Sequence, residues 1–145
     1  MTGAMLAEDQ RVLLSAAVRH QSDAEFLLES SPDQSWHLAG YATECIRKAS
    51  LTKEEYRKAI GHEQGRHFDA LFELVSALDP GALRFHVSGW AEVGTRLHEW
   101  DAQHRYDARN AHAGQAKELV RETALHHDRT LTALWLSNPF DPGKL

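Results

Sequence analysis

Apolar positions recur at helical spacing along almost the whole chain. Leu6, Leu13, Ala17, His20, Ala24 and Leu27 keep one period, while Glu8, Arg11, Arg19 and Glu25 take other faces. That pattern predicts one long amphipathic helix from Leu6 to about Ser30. Ser31-Pro32-Asp33-Gln34 then offers an N-cap serine, a proline at the first helical position and a glutamine placed to close a capping box, so a second helix should run from near Pro32 to about Ser50. Thr52-Lys53-Glu54-Glu55 offers another box and predicts either a short helix or a kinked continuation reaching Ile60. Gly61 and Gly65 bracket a break, after which Phe68, Leu71, Phe72, Val75 and Leu78 define a third amphipathic helix ended by Asp79-Pro80. From Pro80 to Trp100 the positions Leu83, Val87, Trp90, Val93 and Leu97 read as an irregular helix interrupted by Gly89 and Gly94. Asp101 to Ala113 is polar, rich in Arg and His, and reads as a loop or helix entrance. The last helix, about Gly114 to Ser137, shows one face of Ala116, Leu119, Val120, Thr123, His127, Thr130, Leu131 and Leu134 opposite a charged one, and Asn138-Pro139 stops it. The expected fold is all-α, a four- to five-helix up-and-down bundle, with a single helical domain over 1–137 and a C-terminal tail over 138–145.

The second helix carries two patterned faces. Ala39, Ala42, Ile46 and Ala49 form its apolar stripe, and His37, Tyr41, Glu44 and Lys48 recur with the same period beside it. Glu44 and Lys48 stand i, i+4 in the favourable order, which fits either an exposed pair or a semi-buried polar cluster. The second alternative requires a cover, and the Arg- and His-rich stretch before the last helix supplies one if Arg105 packs over Glu44.

At 145 residues and 16.3 kDa the chain fits one domain with a core of its own. A net charge of −5 argues against a broad nucleic-acid-binding surface and leaves room only for a small basic pocket. The ten histidines are scattered, and most are expected at the surface or at helix ends. Cys45 is the only cysteine, so no internal disulfide framework exists. Its apolar helical context suits a small core residue with a raised thiol pKa in a reducing compartment, and a cytoplasmic, soluble, unprocessed protein is expected. No apolar run approaches a membrane span.

Metal ligation was tested on two groups, His62, Glu63, His67 and Asp69, and His126, His127 and Asp128; neither has a ligand spacing. His62 and His67 are five apart, off a common helical face, and adjacent His126 and His127 point about 100° apart. No nucleophile elbow and no phosphate-binding glycine loop occurs, which excludes the ordinary serine hydrolase and nucleotide-binding α/β classes.

The run His37-Leu-Ala-Gly40-Tyr-Ala-Thr-Glu44-Cys45-Ile-Arg-Lys48-Ala49 resembles the second-helix signature of HEPN domains, small all-helical modules in which G-Y-A-x-E-C-x-x-K-A is a familiar cadence. Asp23 to Leu28 is similar to the end of that family's first helix, and Trp100, Arg105-Tyr106 and a terminal helix ending Leu134-Trp135-Leu136 extend the likeness. The resemblance implies a metal-independent ribonuclease of toxin–antitoxin type, with an R-x(4–6)-H motif at a homodimer interface and a nucleotidyltransferase-like antitoxin as partner. Arg105 and His112 would be its catalytic pair, and Glu44, Lys48, Tyr41 and Tyr106 binding or orienting side chains. Arg57/His62, Arg121/His126 and Arg121/His127 carry the same spacing elsewhere. No metal or cofactor is called for. Two other readings use the same polar face: a non-catalytic HEPN-like module binding a nucleotide or protein partner, and a structural helical dimer.

Overall fold

In a computed structural model of the chain, residues 6–60, 66–90, 93, 113–137, 143 and 145 are described. They form five α-helices: α1 Glu8–Leu27, α2 Pro32–Ala49, α3 Glu54–Ala59, α4 Arg66–Leu78 and α5 Ala113–Ser137, with a 3₁₀ turn at Pro80–Leu83. No strand occurs among the described residues. The all-helical expectation therefore stands.

α1 and α2 form an antiparallel hairpin. At its closed end Ser35 Oγ donates to Ala24 O at 2.5 Å, and at its open end Gln10 Nε2 donates to Ala49 O at 3.1 Å and to Leu51 O at 3.4 Å. α5 lies across both helices. Gln21 Nε2 reaches Val120 O at 3.2 Å, while Thr130, further along α5, accepts from Trp90, whose ring faces Arg47. These contacts run α5 parallel to α2 and antiparallel to α1.

Small residues at the hairpin seam, Ala17 and Ala24 on α1 and Ala39, Ala42 and Ala49 on α2, are fully buried and let the two backbones approach closely. Leu14, Trp36, Ile46, Leu119, Leu134 and Trp90 fill the remaining space as the main core. Burying an Ile or Leu side chain in this way contributes about 1.5–3 kcal/mol. A second, smaller core of Leu51, Ile60, Phe68, Phe72, Val75 and Ala82 sits under α3 and α4.

Several expectations need correction. The buried seam of α1 is Gln10, Leu14, Ala17, Gln21 and Ala24, with Leu13, His20 and Leu27 only half-buried. Two glutamines outside the predicted stripe, Gln10 and Gln21, belong to this seam, because each amide meets a main-chain carbonyl of a neighbouring segment. α2 does begin at Pro32, but Ser31 makes no side-chain cap bond and no capping box closes. α3 begins at Glu54 with Lys53 at the N-cap, because Thr52 turns to the 3₁₀ segment: its N–H donates to Ala82 O at 3.0 Å and its Oγ1 to Gly81 O at 3.3 Å. Leu78, read as part of the α4 stripe, is 71% exposed at the point where the chain leaves the helix. Residues 84–89 are turn and coil rather than irregular helix, with Gly89 at φ +98°.

Candidate functional site

The polar face of α2 is buried. Glu44 retains 3% of its side-chain surface, and Lys48, one turn on, places Nζ 2.9 Å from Glu44 Oε1. The exposed-pair alternative is thereby excluded in favour of a buried cluster. Two charges taken out of water together depend on their mutual geometry, so the helix that presents them fixes both side chains in one arrangement. His37 is buried on the same face, its ring 5.2 Å from Trp36 in an edge-on contact. Tyr41 is half-buried, with its ring 5.9 Å from His20 of α1. Burial holds the His20 pKa below its ordinary value; the Arg19 charge adds to this, and Asp23 and Glu44 oppose it. Beside them the Cys45 thiol is pushed up to about 11, chiefly by burial and then by the Glu44 carboxylate. Such a thiol is a poor nucleophile at neutral pH.

Glu44, Lys48 and Tyr41 thus share one face as the period of α2 requires. Arg105, His112 and Tyr106 lie outside the described residues, and so does the expected meeting of Arg105 with Glu44. The competing R-x(4–6)-H pairs are resolved in part. Arg57 is committed elsewhere, with Nε and Nη2 on the Asp9 carboxylate at 2.6 and 2.8 Å and Nη1 on Leu51 O at 2.7 Å. Its partner in that pair, His62, lies outside the described residues. Arg121 is exposed while His126 and His127 are buried, so these do not converge on one open site.

His37, His126 and His127 are buried, although most histidines are expected at the surface; His127 lies on the face that the period of α5 turns inward. His126 packs 5.1 Å from the Trp90 ring, and burial drives the His127 pKa down to about 4 against the opposing charge of Asp128. Among the described residues no group of three or more His, Cys, Asp or Glu side chains converges as a metal site. Asp69, considered above as a ligand, accepts a hydrogen bond from Arg47 instead.

Arg47 is the residue that sequence reasoning missed. It follows Ile46 on α2, retains 1% of its side-chain surface, and places Nη2 2.5 Å from Asp69 Oδ1 of α4. Its guanidinium carbon lies 4.5 Å from the Phe68 ring centroid, 4.7 Å from Phe72 and 5.7 Å from Trp90. Nε and Nη1 are sealed from solvent and find no hydrogen-bond partner among the described residues. Burial accordingly lowers the Arg47 pKa, and Asp69 partly restores it. The aromatic faces take the place of hydrogen-bond acceptors for this cation. The available signal was the aromatic pair Phe68 and Phe72 beside Asp69, three positions that face one way on α4.

No helix among the described residues is long and apolar enough to cross a membrane. Comparison with protein-family models, with curated proteins and with solved structures gives no match to this chain.

Proposed function

We propose that the chain is a HEPN-like helical module acting as a cytoplasmic, metal-independent endoribonuclease of toxin–antitoxin type, with the polar face of α2 supporting its site. The observation that carries this reading is the burial of Glu44 against Lys48 on a face that also holds His37 and Tyr41. A carboxylate kept out of water and fixed on a rigid helix is suited to orienting a neighbouring cation or imidazole. In this mechanism His112 takes the proton of a ribose 2′-hydroxyl as that oxygen attacks the adjacent phosphorus; the P–O5′ bond breaks to leave a 2′,3′-cyclic phosphate, and the departing 5′-oxygen takes up the proton from the His112 imidazolium. Arg105 stabilises the charge developing on the pentacoordinate phosphorus, and Glu44 orients one of the two. A homodimer brings two such motifs together across a twofold axis, and a nucleotidyltransferase-like antitoxin is the partner that silences them. The test is cleavage of single-stranded RNA by the purified protein in EDTA, abolished by His112→Ala. Equal cleavage by the variant removes His112 from the mechanism, and a monomer in light scattering at high concentration removes the shared cleft.

One observation favours a second reading. Lys48 already occupies Glu44 Oε1, an arrangement that suits a structural or non-catalytic binding module. Absence of cleavage together with saturable binding of a nucleotide or a protein partner would select it.

A further inference from the structure

Away from the α2 polar face, Arg47, Asp69, Phe72 and His86 line a cleft of about 200 Å³ between α2, α4 and the turn after the 3₁₀ segment. Glu73 and Ser76, on the same side of α4 as Asp69, complete its polar rim. Its aromatic wall is the half-buried His86 ring, backed by the buried Phe72 ring with the two centroids 4.8 Å apart. The cleft is smaller than a drug-sized pocket, about 300–1,000 Å³, and suits one flat ring system.

Its chemistry is directional. The acceptors are carboxylates, Asp69 and Glu73, and Asp69 is held in place by the buried guanidinium of Arg47. The donors are the Ser76 hydroxyl and His86. His86 Nδ1 is sealed with no partner among the described residues. An orphaned N–H is rarer than an orphaned acceptor, which assigns the ring proton to Nε2. Burial, helped by the Arg47 charge, lowers the His86 pKa to about 4, so the ring is a neutral donor at physiological pH. Among the described lining residues Arg47 is balanced by Asp69 and Glu73 leaves an excess of negative charge, which disfavours phosphates and carboxylates.

We propose that this cleft is a base-recognition subsite for guanine, stacked on the half-buried His86 ring, with its paired N1–H and N2–H donors on Asp69 and its O6 facing the Ser76 hydroxyl. Guanine alone among the common bases presents two adjacent donors on its pairing edge. Adenine and cytosine set a lone pair beside their amino group, and uracil sets its single N–H between two carbonyls. Single-stranded RNA is read by such stacking and edge contacts on unpaired bases. The inference deepens the ribonuclease reading by naming a preferred base, but it is tested by binding alone.

The experiment is equilibrium titration of the full chain with guanosine and with adenosine, nucleosides being used so that no phosphate contributes. Guanosine is expected to bind about tenfold or more tightly than adenosine, within the range that a paired-donor contact discriminates. Asp69→Asn is expected to abolish the preference. Because that change also removes the partner of buried Arg47, Ser76→Phe, at an exposed position of α4, serves as the second variant; it fills the cleft without touching the core and is expected to abolish guanosine binding. No saturable guanosine binding by the folded protein, equal affinity for both nucleosides, binding unchanged by Ser76→Phe, or tighter binding of agmatine than of guanosine would each overturn the proposal. Guanosine binding without RNA cleavage keeps the subsite and removes the ribonuclease reading. Cleavage without guanosine binding does the reverse.

Discussion

Replacing Asp69 by alanine tests whether the Arg47 charge is a liability that its partner neutralises or a stabiliser in its own right. Among the described residues Asp69 supplies the only side-chain hydrogen bond of Arg47, while Nε and Nη1 are sealed without partners. Asp69→Ala therefore leaves an uncompensated buried charge, expected to cost about 3–5 kcal/mol. Set against a total stability of about 5–15 kcal/mol, that is a large fraction. Arg47→Met keeps an unbranched apolar stem against Phe68, Phe72 and Trp90. It forfeits cation–π attraction on the order of 2 kcal/mol. In return it removes two orphaned donors, each a penalty of about 1–3 kcal/mol, and gains sulfur–aromatic contact. Asp69, at 19% exposure, then recovers water. The net change expected for Arg47→Met is within about 1.5 kcal/mol of wild type, and the double variant should resemble it. Urea unfolding at pH 7 followed by far-UV circular dichroism measures this: with a slope of about 1–3 kcal/mol per molar, Asp69→Ala should lower the midpoint by roughly 2 M. If Arg47→Met is as destabilising as Asp69→Ala, the reasoning fails and the aromatic cage itself is the principal stabiliser.

Three further outcomes follow from local geometry and charge. Gly89→Ala should destabilise by about 2 kcal/mol or more in thermal melts, because φ is +98° and the added Cβ would stand 2.4 Å from His126 Cε1; His126→Ala should recover part of the loss, and additive effects would refute the clash. Burial depresses the His127 pKa from 6.5 to about 4, so the unfolded chain binds the extra proton first. Stability from this group is complete above about pH 6.5 and is lost as pH falls toward 4, and His127→Leu should flatten that segment of the unfolding free energy against pH. The Cys45 thiol, pushed up to about 11, should react with a thiol-specific disulfide reagent far more slowly in the native protein than in urea. Equal rates would place it at the surface.

Helix positions were legible in the sequence because they depend on local period, and the start of α2 was fixed by Ser31-Pro32. The two faces of α2 were also legible, since Glu44 and Lys48 are four apart and need no tertiary knowledge to be placed together. Their burial was not, because it depends on what arrives from elsewhere in the chain. Arg47 shows the same limit more sharply. Beside Lys48 in the last turn of a helix it reads as a solvated cation suited to the helix dipole. Only the approach of Asp69, Phe68 and Phe72, more than twenty residues later, turns it into a core residue. Gln10 and Gln21 were passed over for a related reason: a hydropathy pattern scores an amide as polar and cannot know that a backbone carbonyl waits for it. Residues 84–89 were read as helix because Val87 and Trp90 fell on period, but Gly89 at positive φ breaks the run.

Those two glutamines have a bearing on how such a chain can vary. Gln10 holds the carbonyls of Ala49 and Leu51, and Gln21 holds that of Val120. Every residue type carries a carbonyl, so the alignment of α1 against α2 and α5 is written in main-chain atoms rather than in particular side chains. Positions on α2 and α5 can therefore be exchanged, including those of a binding or catalytic face, without surrendering the grip that sets their register. A scaffold fastened in this way keeps its geometry while its working surface diversifies.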